Sequence, residues 1–167
     1  MTSYVALLRA VNVGGTGKLP MADLKAMAEA LGYADVRTYI ASGNLLFTSD
    51  ADEAGVKAAL ETRLAAYAGK HVGVLVRTAA EMAQVLADNP FADRPGNRTV
   101  AIFLDAPGSL DGVAGQRDEQ LRLGRREIYV CYGDGMADSK LRIPASATGT
   151  ARNINTVAKL AAMADGR

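Results

Sequence analysis

The run YVALL at residues 4–8 carries no charged residue on either face and is too short for an ordinary helix, so it predicts a strand buried on both sides. Such a strand constrains the rest of the chain, because other elements must cover it above and below. The material is available: 167 residues with 49% hydrophobic content can bury a core in one compact domain or in two small subdomains. The strand is expected to end near Ala10, where the chain enters a loop containing Gly14, Gly15 and Gly17 and then Lys18.

Helix and strand signals follow in a regular order. Pro20 stands where a first helical residue would, Asp23 lies in the first turn, Met21, Leu24, Ala28 and Leu31 recur at helical spacing, and Gly32 supplies a C-cap. Residues 36–40 and 44–48 are rich in β-branched and aromatic residues and flank Ser42-Gly43, which predicts two strands around a turn. Residues 52–68 place Val56, Leu60, Leu64 and Tyr67 on one helical face with Gly69 as the stop, and residues 71–76 read as a strand. The order βαββαβ is that of ferredoxin-like folds, with two helices on one face of an antiparallel sheet. The remainder predicts a helix over 79–87 ended by Asn89-Pro90, a strand over 99–104, a Gly-rich charged stretch, a strand over 127–132, and a last helix ending near Ala164. The expected fold is therefore α+β, with a ferredoxin-like subdomain at residues 1–88. A second small α+β subdomain follows at 89–167 and includes the basic C-terminal helix. The segment NPFADRPGN at residues 89–97 is the hinge candidate.

Composition narrows function by exclusion. A formal net charge of +1 and a pI near 7.8 leave no bulk basicity to attract nucleic acid. Cys131 is the only cysteine and His71 the only histidine, which excludes an intrachain disulfide framework and a Cys/His metal site, and fits a reducing cytoplasmic setting. The N-terminus has no basic leader, and Arg9 breaks its apolar run well short of the roughly 20 residues needed to span a bilayer. No cofactor is expected, nucleic acid is disfavoured as a partner, and a small anionic ligand is the partner that the polar motifs below point to.

Three separated motifs carry the polar chemistry: LLRAVNVGG at residues 7–15, TYIASGN at 38–44 and TARNINT at 150–156. Together they resemble the signature of a widespread bacterial family, domain-of-unknown-function family 1697, whose members begin with a run like LLRGINVGG. The resemblance spans essentially the whole chain. It implies an α+β fold of two small subdomains, one ferredoxin-like, and no established activity. Ala10 stands where the family has glycine, Ala41 where it has glutamine, and Ile154 where an aromatic is common.

The glycine loop can be read as a phosphate cradle, because glycines let backbone N–H groups approach an oxyanion and the following helix presents its positive end. It lacks the spacer of a nucleotide-binding P-loop, and Leu19 stands where a hydroxyl would hold magnesium. The competing reading is a turn whose glycines supply positive φ. Arg152 lies at or just before a helix N-terminus, where a cation is disfavoured, and no acidic residue occurs between Asp138 and Asp165 to neutralise it or Lys140, Arg142 and Lys159. Arg9 and Lys18 precede the first acid of the chain, Asp23. An external anion answers both observations, while helix capping accounts for Asn153 or Asn155. The candidate ligand-binding set is thus Arg9, Asn12, Gly14, Gly15, Lys18, Ser42, Asn44, Arg152 and Asn153, with no catalytic residue assigned. Two alternatives remain open: hydrolysis of an acyl phosphate or phosphate ester, by analogy with ferredoxin-like acylphosphatases, and single-stranded nucleic-acid binding by the basic C-terminal region. The 5% aromatic content disfavours the latter.

Overall fold

The computed structural model describes residues 1–9, 19–40, 43–133 and 136–165. The apolar run forms β1 (Thr2–Leu8), buried at every residue after Thr2. β1 pairs antiparallel with β3 (Asn44–Ser49) on one side and β4 (Val74–Thr78) on the other, and β2 (Ala34–Thr38) pairs with β3, giving the order β2-β3-β1-β4. With α1 (Met21–Ala30) between β1 and β2 and α2 (Glu53–Ala68) between β3 and β4, the topology is ferredoxin-like.

Strand alternation sorts the side chains of β1 onto two faces. Tyr4, Ala6 and Leu8 join Leu45, Phe47, Val74 and Val76 in packing against Leu24, Met27 and Ala28 of α1 and Val56, Leu60 and Leu64 of α2. Phe47 is central to this layer, with its ring 4.5 Å from that of Tyr33 in a stacked pair and 5.8 Å from that of Tyr4. The opposite face carries Val5 opposite both Leu46 and Arg77, and Leu7 opposite Leu75, all buried. Its cover comes from the end of α4 (Ile154–Asp165). The Ser3 hydroxyl donates to the Ala164 carbonyl at 3.0 Å, and Arg37 Nη1 donates to that of Met163 at 2.8 Å. Helices on one face alone were expected, but both faces of the sheet are closed.

Local signals set the helix ends. Asp52 Oδ1 accepts a hydrogen bond from the Gly55 N–H at 2.8 Å, satisfying a free donor of the first turn of α2, and Gly69 ends that helix at φ 73°. Asp35, at φ 52°, lies within the irregular stretch where the β2–β3 register shifts between Ala34 and Arg37.

The second sheet has the order β6-β7-β5-β8 and is antiparallel throughout, built from β5 (Thr99–Phe103), β6 (Gln120–Leu123), β7 (Glu127–Cys131) and β8 (Thr150–Asn153). Val100, Ile102, Leu104, Leu121, Ile128, Val130 and Ile143 form its core. The Tyr129 hydroxyl donates to the carbonyl of Val85 in α3 (Ala79–Ala87) at 2.7 Å. β6 and β8 were not expected, and both are four-residue edge strands too short and too polar to show periodicity. β4 begins at Val74 rather than at His71.

The chain divides into two compact units, Met1–Met82 with Leu160–Arg167, and Ala83–Lys159. The division thus falls before residues 88 and 89, and the last turns of α4 count with the first unit, where Ser3 and Arg37 hold their carbonyls. Deleting the ring of Phe47 should leave a cavity between sheet and helices. Phe47→Ala is expected to lower stability by about 3–5 kcal/mol in urea unfolding.

Candidate anion-binding site

The end of β1 is fixed by two backbone hydrogen bonds. Leu8 N–H donates to the Gly43 carbonyl and Arg9 N–H to the Gly73 carbonyl, each at 2.9 Å. Arg9 therefore sits at the sheet end between the β2–β3 turn and the start of β4. A Cβ built on Gly73 would lie 2.9 Å from Arg9 Cδ, so glycine at 73 is what lets the arginine stem lie so close against the backbone.

The turn beside it is braced from within. Asn44 is fully buried and its Nδ2 donates to the Tyr39 carbonyl at 2.9 Å, while Tyr39 N–H donates to the Asn44 carbonyl at 3.1 Å. Gly43 has φ 83°. Ile40 adopts φ 51° while half exposed, a conformation that costs a β-branched residue on the order of 1–3 kcal/mol. Asn44 thus ties the end of β3 to Tyr39.

The second polar group belongs to the other unit. Arg152 lies on β8 opposite Ala101 and is 8% exposed. Its Nη1 donates to Thr150 Oγ1 at 2.8 Å and to the Ala151 carbonyl at 3.0 Å. Burial lowers its pKa to about 10, which leaves it cationic at neutral pH. Asn153 Oδ1 accepts from the Thr156 N–H at 2.8 Å and so caps α4. Arg9 and Asn44 therefore share one sheet end, and Arg152 and Asn153 are consecutive on β8. Asn12, Gly14, Gly15, Lys18 and Ser42 lie outside the described residues.

Two arginines escaped the sequence reading. Arg77 is 1% exposed and the largest fully buried side chain among the described residues. The register puts Arg37, Leu46, Val5 and Arg77 in one row across the first sheet. Arg37 meets the carbonyl end of α4, a favourable place for a cation, and its Nη2 is buried with no hydrogen-bond partner among the described residues. Arg77 directly follows VLV, one residue beyond the strand expected over 71–76, and the strand in fact runs on to Thr78.

The family model of a protein of unknown function, DUF1697, matches residues 1–129. The chain belongs to the DUF1697 family. Its fold is shared by a solved structure, the conserved bacterial protein SP0830 from Streptococcus pneumoniae. That protein is 25% identical, with a TM-score of 0.80 over 98% of this chain and 99% of the other. No protein of curated function matches. This DUF1697 chain has no helix, among the described residues, long and apolar enough to cross a membrane, and no group of three or more potential metal ligands.

The asparagine roles are separable by stability. Asn153→Ala is expected to cost about 1 kcal/mol, the usual value of a helix cap, and Asn44→Ala about 1–3 kcal/mol through an unsatisfied buried carbonyl. Denaturant titration of both variants checks this ranking.

Proposed function

We propose that the chain binds a small anionic ligand, a phosphorylated metabolite or nucleotide, at the end of the first sheet. Arg9 supplies the positive charge, the loop residues Asn12, Gly14, Gly15 and Lys18 and the turn residue Ser42 supply donors, and Asn44 holds the turn. Arg152, with Asn153 beside it, is a separate candidate anion contact on β8 of the second unit. The observation that carries it is the placement of Arg9. The chain fixes its backbone to Gly73 and its stem against the same glycine at the point where the glycine loop begins. A guanidinium on a preorganised stem gives up little freedom when it pairs with a phosphate oxygen.

The setting is a cytoplasmic one, supported by the buried free thiol of Cys131. Hydrolysis would need Asn12 or Asn44 to orient water, and the Asn44 amide already donates to the Tyr39 carbonyl, which favours binding. Phosphate-ester hydrolysis stays the second reading on the strength of the ferredoxin-like topology carrying an arginine directly after β1.

A thermal-shift series with inorganic phosphate, sugar phosphates and nucleotides tests the proposal, since a ligand at 100 times its Kd stabilises by about 2.7 kcal/mol. At least one phosphate compound should raise Tm, and Arg9→Ala and Lys18→Ala should each abolish the rise. A rise that survives both substitutions contradicts the reading. Gly73→Ala provides a subtler check: the new methyl displaces the Arg9 stem, so ligand stabilisation should fall while the stability of the free protein changes by about 1 kcal/mol or less.

A further inference from the structure

The start of β4 is held from α2 as well as from β1. The bond from the Arg9 N–H to the Gly73 carbonyl makes Gly73 a hydrogen-bonded partner of β1. The alternation of an antiparallel ladder then turns both backbone groups of Val74, the first residue of β4, away from β1. β4 is an edge strand, so no other described strand meets them. Two side chains of α2 do. Glu61 Oε2 accepts from the Val74 N–H at 3.0 Å, and the Lys57 ammonium donates to the Val74 carbonyl. Lys57 Nζ also donates to the same Glu61 oxygen at 2.9 Å, which joins the two side chains into one clamp.

An i,i+4 ion pair on an open helix surface contributes little. This one is different in setting, because the two side chains are only 29% and 21% exposed and close on the backbone of one residue. Its base is fixed: Val56, Leu60 and Leu64 anchor α2 in the core of the first unit, and Asp52 caps the helix.

The consequence reaches Arg9. A Cβ built on Gly73 would lie 2.9 Å from Arg9 Cδ and 3.6 Å from Arg9 Nη1, so the guanidinium as well as the stem lies against Gly73. Gly73 immediately precedes the clamped Val74. Where Gly73 stands decides where the guanidinium is presented, and α2 decides where Gly73 stands.

We infer that Glu61, together with Lys57, is a positioning residue of the Arg9 site: from α2 it fixes the start of β4, and with it the place at which Arg9 offers its guanidinium to a phosphate. The inference rests on the anion-binding reading and adds to it two side chains that touch no ligand. The sign of one effect separates positioning from charge. Glu61 is an acid, so electrostatics alone makes its removal strengthen anion binding, whereas loss of positioning weakens it.

Titration of the full chain with inorganic phosphate and with adenosine monophosphate, followed by the Arg9 and Gly73 amides in NMR, tests this. Glu61→Ala should weaken binding about five- to tenfold. Glu61→Gln loses the same charge but keeps an oxygen for the Val74 N–H, and should bind within about twofold of the native chain. Asp52→Ala uncaps the same helix without touching Val74 and should leave the affinity unchanged, which separates positioning from lost stability. Unchanged or tighter binding by Glu61→Ala, or equal weakening by Asp52→Ala, overturns the inference and leaves the anion site standing. A native chain that shows no saturable shifts with either probe overturns the anion reading and the inference with it. Hydrogen exchange of the native chain decides the question even if Glu61→Ala does not fold. The Val74 and Arg9 amides should open as one unit, with protection within about threefold of each other. Opening of the Val74 amide at least about tenfold more readily than that of Arg9 contradicts the clamp.

Discussion

Burial of β1 on both faces is the constraint on which the first unit depends. A strand with one wet face alternates, whereas β1 is buried without interruption from Ser3 to Leu8 and demands cover on both sides. α1 and α2 provide one layer and the last turns of α4 provide the other. The C-terminal helix is therefore part of the first unit's architecture even though Asn153, its cap, belongs to the second. Because the strand itself is wholly engaged in packing, its chemistry is displaced to its end, and Arg9 is the first residue after it that is not buried.

Arginine burial is the second theme. Arg77 and Arg152 are each less than a tenth exposed, and both donate to backbone carbonyls close in sequence. Desolvating a guanidinium opposes folding, as the lowered pKa of Arg152 records, and hydrogen bonds to carbonyls offset part of that cost. Arg37 solves the same problem differently by meeting the negative end of α4. Arg9, like Arg37, is only partly buried, but it lies at the end of β1 rather than against the end of α4.

Much of this was legible in the residues. The β1 run, the hairpin around Gly43, the α2 stripe of Val56, Leu60 and Leu64, and the stops at Gly32 and Gly69 each follow from a local rule. The range of α3 matched residues 79–87. What was not legible depends on partners distant in sequence. β6 and β8 exist because β7 and β5 offer them hydrogen bonds, since QLRL and TARN have no strand pattern of their own. The second cover on the first sheet required knowing that Ser3 and Arg37 reach Ala164 and Met163. In the site, the capping of α4 by an asparagine was readable as one of two candidates, and Asn153 is the one that caps. The full burial of Asn44 was not readable, because a polar residue in a turn motif gives no sign of which way its amide points.

The central claim is that the end of β1 is a place where an anion binds. Mapping backbone amide shifts of the whole chain during titration with a stabilising phosphate compound tests it most directly. The account predicts the largest saturable shifts at Leu8, Arg9, Gly43 and Gly73, the residues whose hydrogen bonds fix that sheet end. Shifts confined to residues remote from these four, or no saturable shifts with any phosphate compound, would contradict it.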